Sequence, residues 1–118
     1  MNDNPLANLD KETQQKIQVM QILEQNFQQL MMQKQAFSME NNETENALNQ
    51  LEKAKGDVFK IVGNIVIKST NQDLQKELNH KKELLELRLK NIEKQESGFV
   101  EKLESLRKEI LDKIQPKK

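Results

Sequence analysis

Apolar residues in the first half of the chain recur at Met20, Leu23, Phe27, Leu30, Phe37, Leu48 and Leu51. The steps are three, four or seven, apart from one gap of eleven across the polar run from Glu40 to Asn46. That spacing predicts one long helix with a coiled-coil seam and a weak middle. Asn4-Pro5 suits its start, since a proline at the first helical position loses no needed hydrogen bond. Nothing breaks the pattern before about Lys55, so the helix is expected over roughly residues 5–55.

A second helix is expected over roughly 70–115. Thr70 with Asp73 resembles a capping box. Leu78, Leu85, Leu89, Ile92, Phe99, Leu103, Leu106 and Ile110 then keep a steady three-four spacing. Glu77–Lys81, Glu86–Lys90, Glu104–Lys108 and Glu109–Lys113 stand acid-first at i,i+4, each adding a few tenths of a kcal/mol. Gly98 costs about 1 kcal/mol in a helix interior and predicts at most a bend. At 1.5 Å per residue each helix is on the order of 65–70 Å long. Two such helices with a short connection fold back antiparallel, which predicts an elongated arm.

Residues 58–69 form the one β-branched cluster, and Gly63-Asn64 fits a two-residue II′ turn. That register puts Val58, Val62, Ile65 and Ile67 on one face, and Phe59, Ile61 and Val66 on the other. A strand apolar on both faces needs cover on both. A lone two-stranded hairpin is marginal and its edges invite pairing. Other chains are therefore expected to complete the sheet through Val58, Phe59, Ile61, Val62, Gly63, Ile65, Val66 and Ile67.

Composition agrees with exposed helices around little core. Charged residues make up 32% and aromatics 3%, with three Gly and two Pro, where a globule would use more aromatics for buried area. The 19 basic and 19 acidic residues cancel. Residues 1–56 hold five Lys and eight acids; residues 71–118 hold twelve basic residues and ten acids. Neither balance makes a nucleic-acid footprint. The absence of cysteine excludes disulfide and thiolate chemistry and suits a reducing cytosol. No signal peptide and no membrane span are expected, because no apolar run approaches ~20 residues. A cytoplasmic protein is the simplest reading.

Chemistry finds no foothold. His80 is the single histidine, so a metal site is not expected, and there is no phosphate loop, Ser-His-Asp group or CxxC motif. The Glu residues read as a solvated helix face. Nine Gln between positions 14 and 35 are interrupted by regular apolar positions and read as a helix surface. Met20, Met31, Met32 and Met39 read as seam filler rather than an adaptable binding face. No enzyme activity, catalytic residue or cofactor is expected.

Several segments together resemble prefoldin, in its β class of archaeal type, over nearly the whole chain. They are Gln33-Lys34-Gln35, the run Asn42-Glu43-Thr44-Glu45-Asn46-Ala47-Leu48, the hairpin from Val58 to Lys68, Leu87-Arg88-Leu89 and Glu93-Lys94-Gln95-Glu96. The hairpin is the most specific, with an aromatic-Lys pair, Gly at the turn and an aliphatic strand ending in a basic residue. Phe59 stands where Tyr is common in that family. The α class carries two hairpins, and one is present here. The resemblance implies a mainly α fold with two long antiparallel helices, joined by one β-hairpin that enters an intersubunit β-barrel. It also implies a hexamer of two α-class and four β-class subunits that captures unfolded proteins at its arm tips without ATP. Clients then pass to a group II chaperonin.

If the hairpin marks one end of the arm, Leu6, Leu9, Ile110, Leu111 and Ile114 gather at the other as candidate client-binding residues. Leu111 stands one step off the seam position Ile110, so part of this surface is expected to face outward. The competing reading is that these residues only staple the coil end. Lys113, Lys117 and Lys118 are candidates for contacting an acidic chaperonin surface, against the ordinary reading of a solvated basic helix end. The alternative to a chaperone is a structural coiled-coil adaptor or tether that assembles through the same hairpin.

Overall fold

The computed structural model describes residues 10–114. Two long helices, α1 (Lys11–Lys53) and α2 (Asn71–Ile114), are joined by one antiparallel hairpin of β1 (Val58–Val62) and β2 (Ile65–Ser69). The chain divides into two compact units. One joins the residues up to Gln33 with those from Ile92 onward; the other runs from Lys34 to Asn91.

The described part of α1 begins at Lys11, and the expected start at Pro5 lies outside the described residues. Asp10 is the N-cap: its Oδ1 accepts the Thr13 N–H at 2.7 Å, and its carbonyl accepts the Gln14 N–H at 3.1 Å. The short carboxylate satisfies a donor that the first turn would leave open. At α2 the Thr70 half of the expected capping box is present. Thr70 Oγ1 accepts the Asp73 N–H at 3.1 Å, and Thr70 lies just outside the helix. The helix then runs through Gly98 without interruption.

In the first unit the helices pack antiparallel, as shown by Asp10 paired with Lys113, Lys16 with Glu109 and Phe27 with Phe99. The two rings meet edge-on at 6.1 Å, a favoured aromatic geometry. Leu30, Ile92, Leu103 and Ile110 are buried here, together with Thr13.

In the second unit Leu51, Leu74 and Leu85 form the apolar core. Arg88 lies over the Phe37 ring at 5.5 Å, while Glu40 pairs with Lys81 at 3.1 Å and Glu45 with Lys82 at 3.5 Å. The eleven-residue gap in the apolar pattern is not a gap in the seam. Asn41 and Thr44 occupy the two missing steps, and Thr44 is only 3% exposed. The interval 37, 41, 44, 48, 51 keeps the coiled-coil spacing with polar side chains in the middle.

Acid–base pairing also departs from the sequence reading. Glu77 bonds Lys60 of the hairpin and Lys81 bonds Glu40 of α1, in place of each other. Glu109 and Lys113 likewise take Lys16 and Asp10. A partner on the neighbouring helix is as near as one a turn away, and long flexible side chains reach either at similar energy. The methionines divide as well. Met20 and Met31 are half-buried, but Met32 and Met39 are exposed, because both stand two residues beyond a seam position and point away from the partner helix.

Candidate assembly and client-binding surfaces

β1 and β2 pair Val58 with Ser69, Phe59 with Lys68, Lys60 with Ile67, Ile61 with Val66, and Val62 with Ile65. Gly63 has φ of 60° and no other hairpin residue has positive φ, which makes the turn type II′. Glycine is needed here for its backbone, since a Cβ would meet nothing within 4 Å.

Paired residues share a face, so the hairpin has two distinct sides. One carries Val58, Lys60, Val62, Ile65, Ile67 and Ser69. Its base is half-buried, and Lys60 reaches Glu77 of α2. Asn71 Nδ2 donates to the Leu51 carbonyl at 2.6 Å, tying the first turn of α2 to the end of α1. A largely apolar groove of about 480 Å³ opens beside this base, between Leu51, Val58, Phe59, Leu74 and Leu78. The other side carries Phe59, Ile61, Val66 and Lys68, and all four are exposed. Ile61 is 77% exposed, the largest value among the described large apolar residues on the surface. The expected assembly residues are thus placed as the alternation predicts: apolar on both faces, with only the base of one face covered.

At the first unit's helix ends the five candidate client contacts separate. Ile110 is 6% exposed and belongs to the seam, so its side chain is packing and not free surface. Leu111 and Ile114 are exposed; Leu111 stands one step off the seam, and Ile114 is the last described residue of α2. Leu6 and Leu9 lie outside the described residues. Lys113 is engaged with Asp10 at 3.6 Å, while Lys117 and Lys118 also lie outside. Exposed Val19 lines a small groove with Leu23 and Leu106 in the same unit, and Ile22 is exposed beside it. Val19 and Ile22 each stand one step before a seam position, Met20 and Leu23, so the seam spacing does not single them out.

Charge organises this end. The Asp10 carboxyl is held below its ordinary value of 3.8 by hydrogen bonds from Thr13, its side chain first and its backbone N–H second, with Lys113 adding to the effect. Lys16 is raised above 10.5, chiefly by Glu109. A depressed carboxyl contributes stability above its unfolded value and loses it as pH falls through the lower folded value; a raised lysine contributes below 10.5 and loses it above. As pH falls through the acidic range below the ordinary value of 3.8, the first turn of α1 should therefore fray. Amide NMR of Thr13 and Gln14 would report it. Asp10→Asn, which keeps a cap but cannot titrate, should flatten that pH dependence; an unchanged profile would assign the fraying elsewhere.

Among the described residues no group of three or more His, Asp or Glu could hold a metal, and no helix is long and apolar enough to cross a membrane. His80 is exposed.

Known proteins give a consistent comparison. The family model described as "Prefoldin subunit" matches residues 14–117. A prefoldin subunit beta of Saccharolobus islandicus is 36% identical over 113 residues, covering 92% of this chain and 90% of the relative. One from Pyrobaculum calidifontis is 37% identical over 86 residues, covering 71% and 69%. The crystal structure of the prefoldin beta subunit from Thermococcus strain KS-1 superposes with a TM-score of 0.86 at 31% identity, covering 93% of this chain and 98% of that one. Two long helices, a single hairpin and this agreement in sequence and fold lead to one conclusion: the chain belongs to the prefoldin family of chaperone subunits, in its β class of archaeal type.

Proposed function

We propose that the chain is one of four β-class subunits that join two α-class subunits in a cytoplasmic hexamer. Their hairpins pool into a β-barrel platform, and the coil ends capture unfolded proteins without ATP and release them to a group II chaperonin. The observation that carries this reading is the exposed apolar pair Ile61 and Val66 on one face of the hairpin. A chain on its own would expose Ile61 and Val66 to water at a cost of some 25 cal/mol per Å², which a neighbouring hairpin removes. Membership of a chaperone family, not an enzyme family, supports the same reading.

Client contact is assigned to Leu111 and Ile114, completed by Leu6 and Leu9. Ile110 is left out because it is already packed. A few aliphatics make a weak and unselective contact, which is what binding many unfolded sequences requires. Six such ends raise the effective concentration, so assembly and capture depend on each other. Lys113, Lys117 and Lys118 are the proposed contact to an acidic chaperonin surface, with Lys113 exchanging Asp10 for that partner.

A full-length Leu111→Ser/Ile114→Ser variant, mixed with an α-class partner, tests the tips. The mass of the complex should be unchanged. Suppression of aggregation should weaken several-fold for several unrelated unfolded proteins. Unchanged suppression would remove the tips from the account and favour an adaptor that binds one folded partner.

A further inference from the structure

We propose that the Asn41–Thr44 layer is a built-in opening point of the helix pair, where α1 and α2 separate before the apolar seam on either side. The inference rests on the seam itself and stands whether or not the chain captures clients.

Three observations carry it. Asn41 Oδ1 is buried and no protein group donates to it. A buried carbonyl oxygen without a donor gains by any opening that admits water, whereas buried leucines lose by the same opening. Thr44 spends its hydroxyl on its own helix, donating to the Glu40 carbonyl at 2.8 Å, so it makes no bond across to α2. A threonine bonded back in this way also tends to bend its helix.

The links that do cross this stretch are polar as well. Glu40–Lys81 and Glu45–Lys82 bracket the layer, and all four side chains are substantially exposed. Exposed ion pairs hold weakly and are screened by salt. Arg88 over Phe37 adds a further contact of the same electrostatic kind. On the α1 side an opening at this level uncovers polar side chains, while on α2 it uncovers Leu85, which lies between Lys82 and Arg88 and is 2% exposed. Beyond the layer, Leu51 and Leu74 resume the dry packing.

Hydrogen exchange on the full-length chain tests the proposal. The amides of residues 41–45 should exchange at least tenfold faster than those around Leu30, and 1 M NaCl should speed them further while sparing the amides around Leu30. Asn41→Leu with Thr44→Leu should slow them at least tenfold. Should that double variant misfold or shift its pairing, the near-isosteric Thr44→Val serves in its place, with slower exchange at residues 41–45 as the expected result. Uniform protection along α1, or exchange unmoved by salt and by whichever variant folds, would overturn it.

Discussion

Lysine at both Ile61 and Val66 is expected to abolish assembly while leaving the isolated chain folded. The two residues form a cross-strand pair on the face that the helices leave open. In the free chain both side chains already meet water, so the exchange should cost no more than about 1 kcal/mol, chiefly like-charge repulsion across the pair. Within a stack of hairpins the same positions would hold two ammonium groups without partners. Burying an unpaired charge costs several kcal/mol per ion. Even ~4 kcal/mol is roughly a thousandfold in affinity, since every 1.4 kcal/mol is tenfold. Native mass measurement with an α-class partner should then find free subunits, with far-UV circular dichroism unchanged. A hexamer at ordinary concentration would show that this face is not the assembly surface. Ile61 is a sharper probe than Ile65, because Ile65 shares the face whose base the helices partly cover.

Leu85→Ala should be the most damaging single truncation within the helices. Leu85 is 2% exposed, the most deeply buried of the described leucines. Leu→Ala in a core costs ~2–5 kcal/mol, the spread reflecting how far the site collapses. Two slender helices can close around a small void more easily than a globule can, so the lower half of that range is expected. Loss of about 2 kcal/mol should lower the melting temperature by several degrees. Leu87→Ala provides the contrast. Two residues away on the same helix, Leu87 is exposed and should move the midpoint little. Equal effects at the two positions would contradict the packing described for the second unit.

Helix, hairpin and helix were legible in the sequence because each rests on local repetition. Three-four spacing over two runs of some forty residues leaves no rival to a helix. A β-branched run divided by Gly63-Asn64 has one tight-turn register, and the pairing of Val62 with Ile65 follows from it. Residues that carry the family resemblance lie in the same segments, so sequence and fold converge on prefoldin.

Three features needed the fold. Asn41 and Thr44 look like a break in the apolar pattern, yet they are seam positions, since burial follows the helix period whatever the side chain. Ile110 qualifies both as a seam position and as a tip residue, and only packing decides that it is core. The ion pairs went to tertiary partners because a charge at i,i+4 and one on the facing helix compete within tenths of a kcal/mol, a margin no sequence spacing resolves. By itself, then, the sequence determined the two helices, the hairpin and its two apolar faces, all set by periodicity within one segment. Tertiary structure alone decided which apolar residues remain uncovered, because that depends on what a distant segment happens to bury.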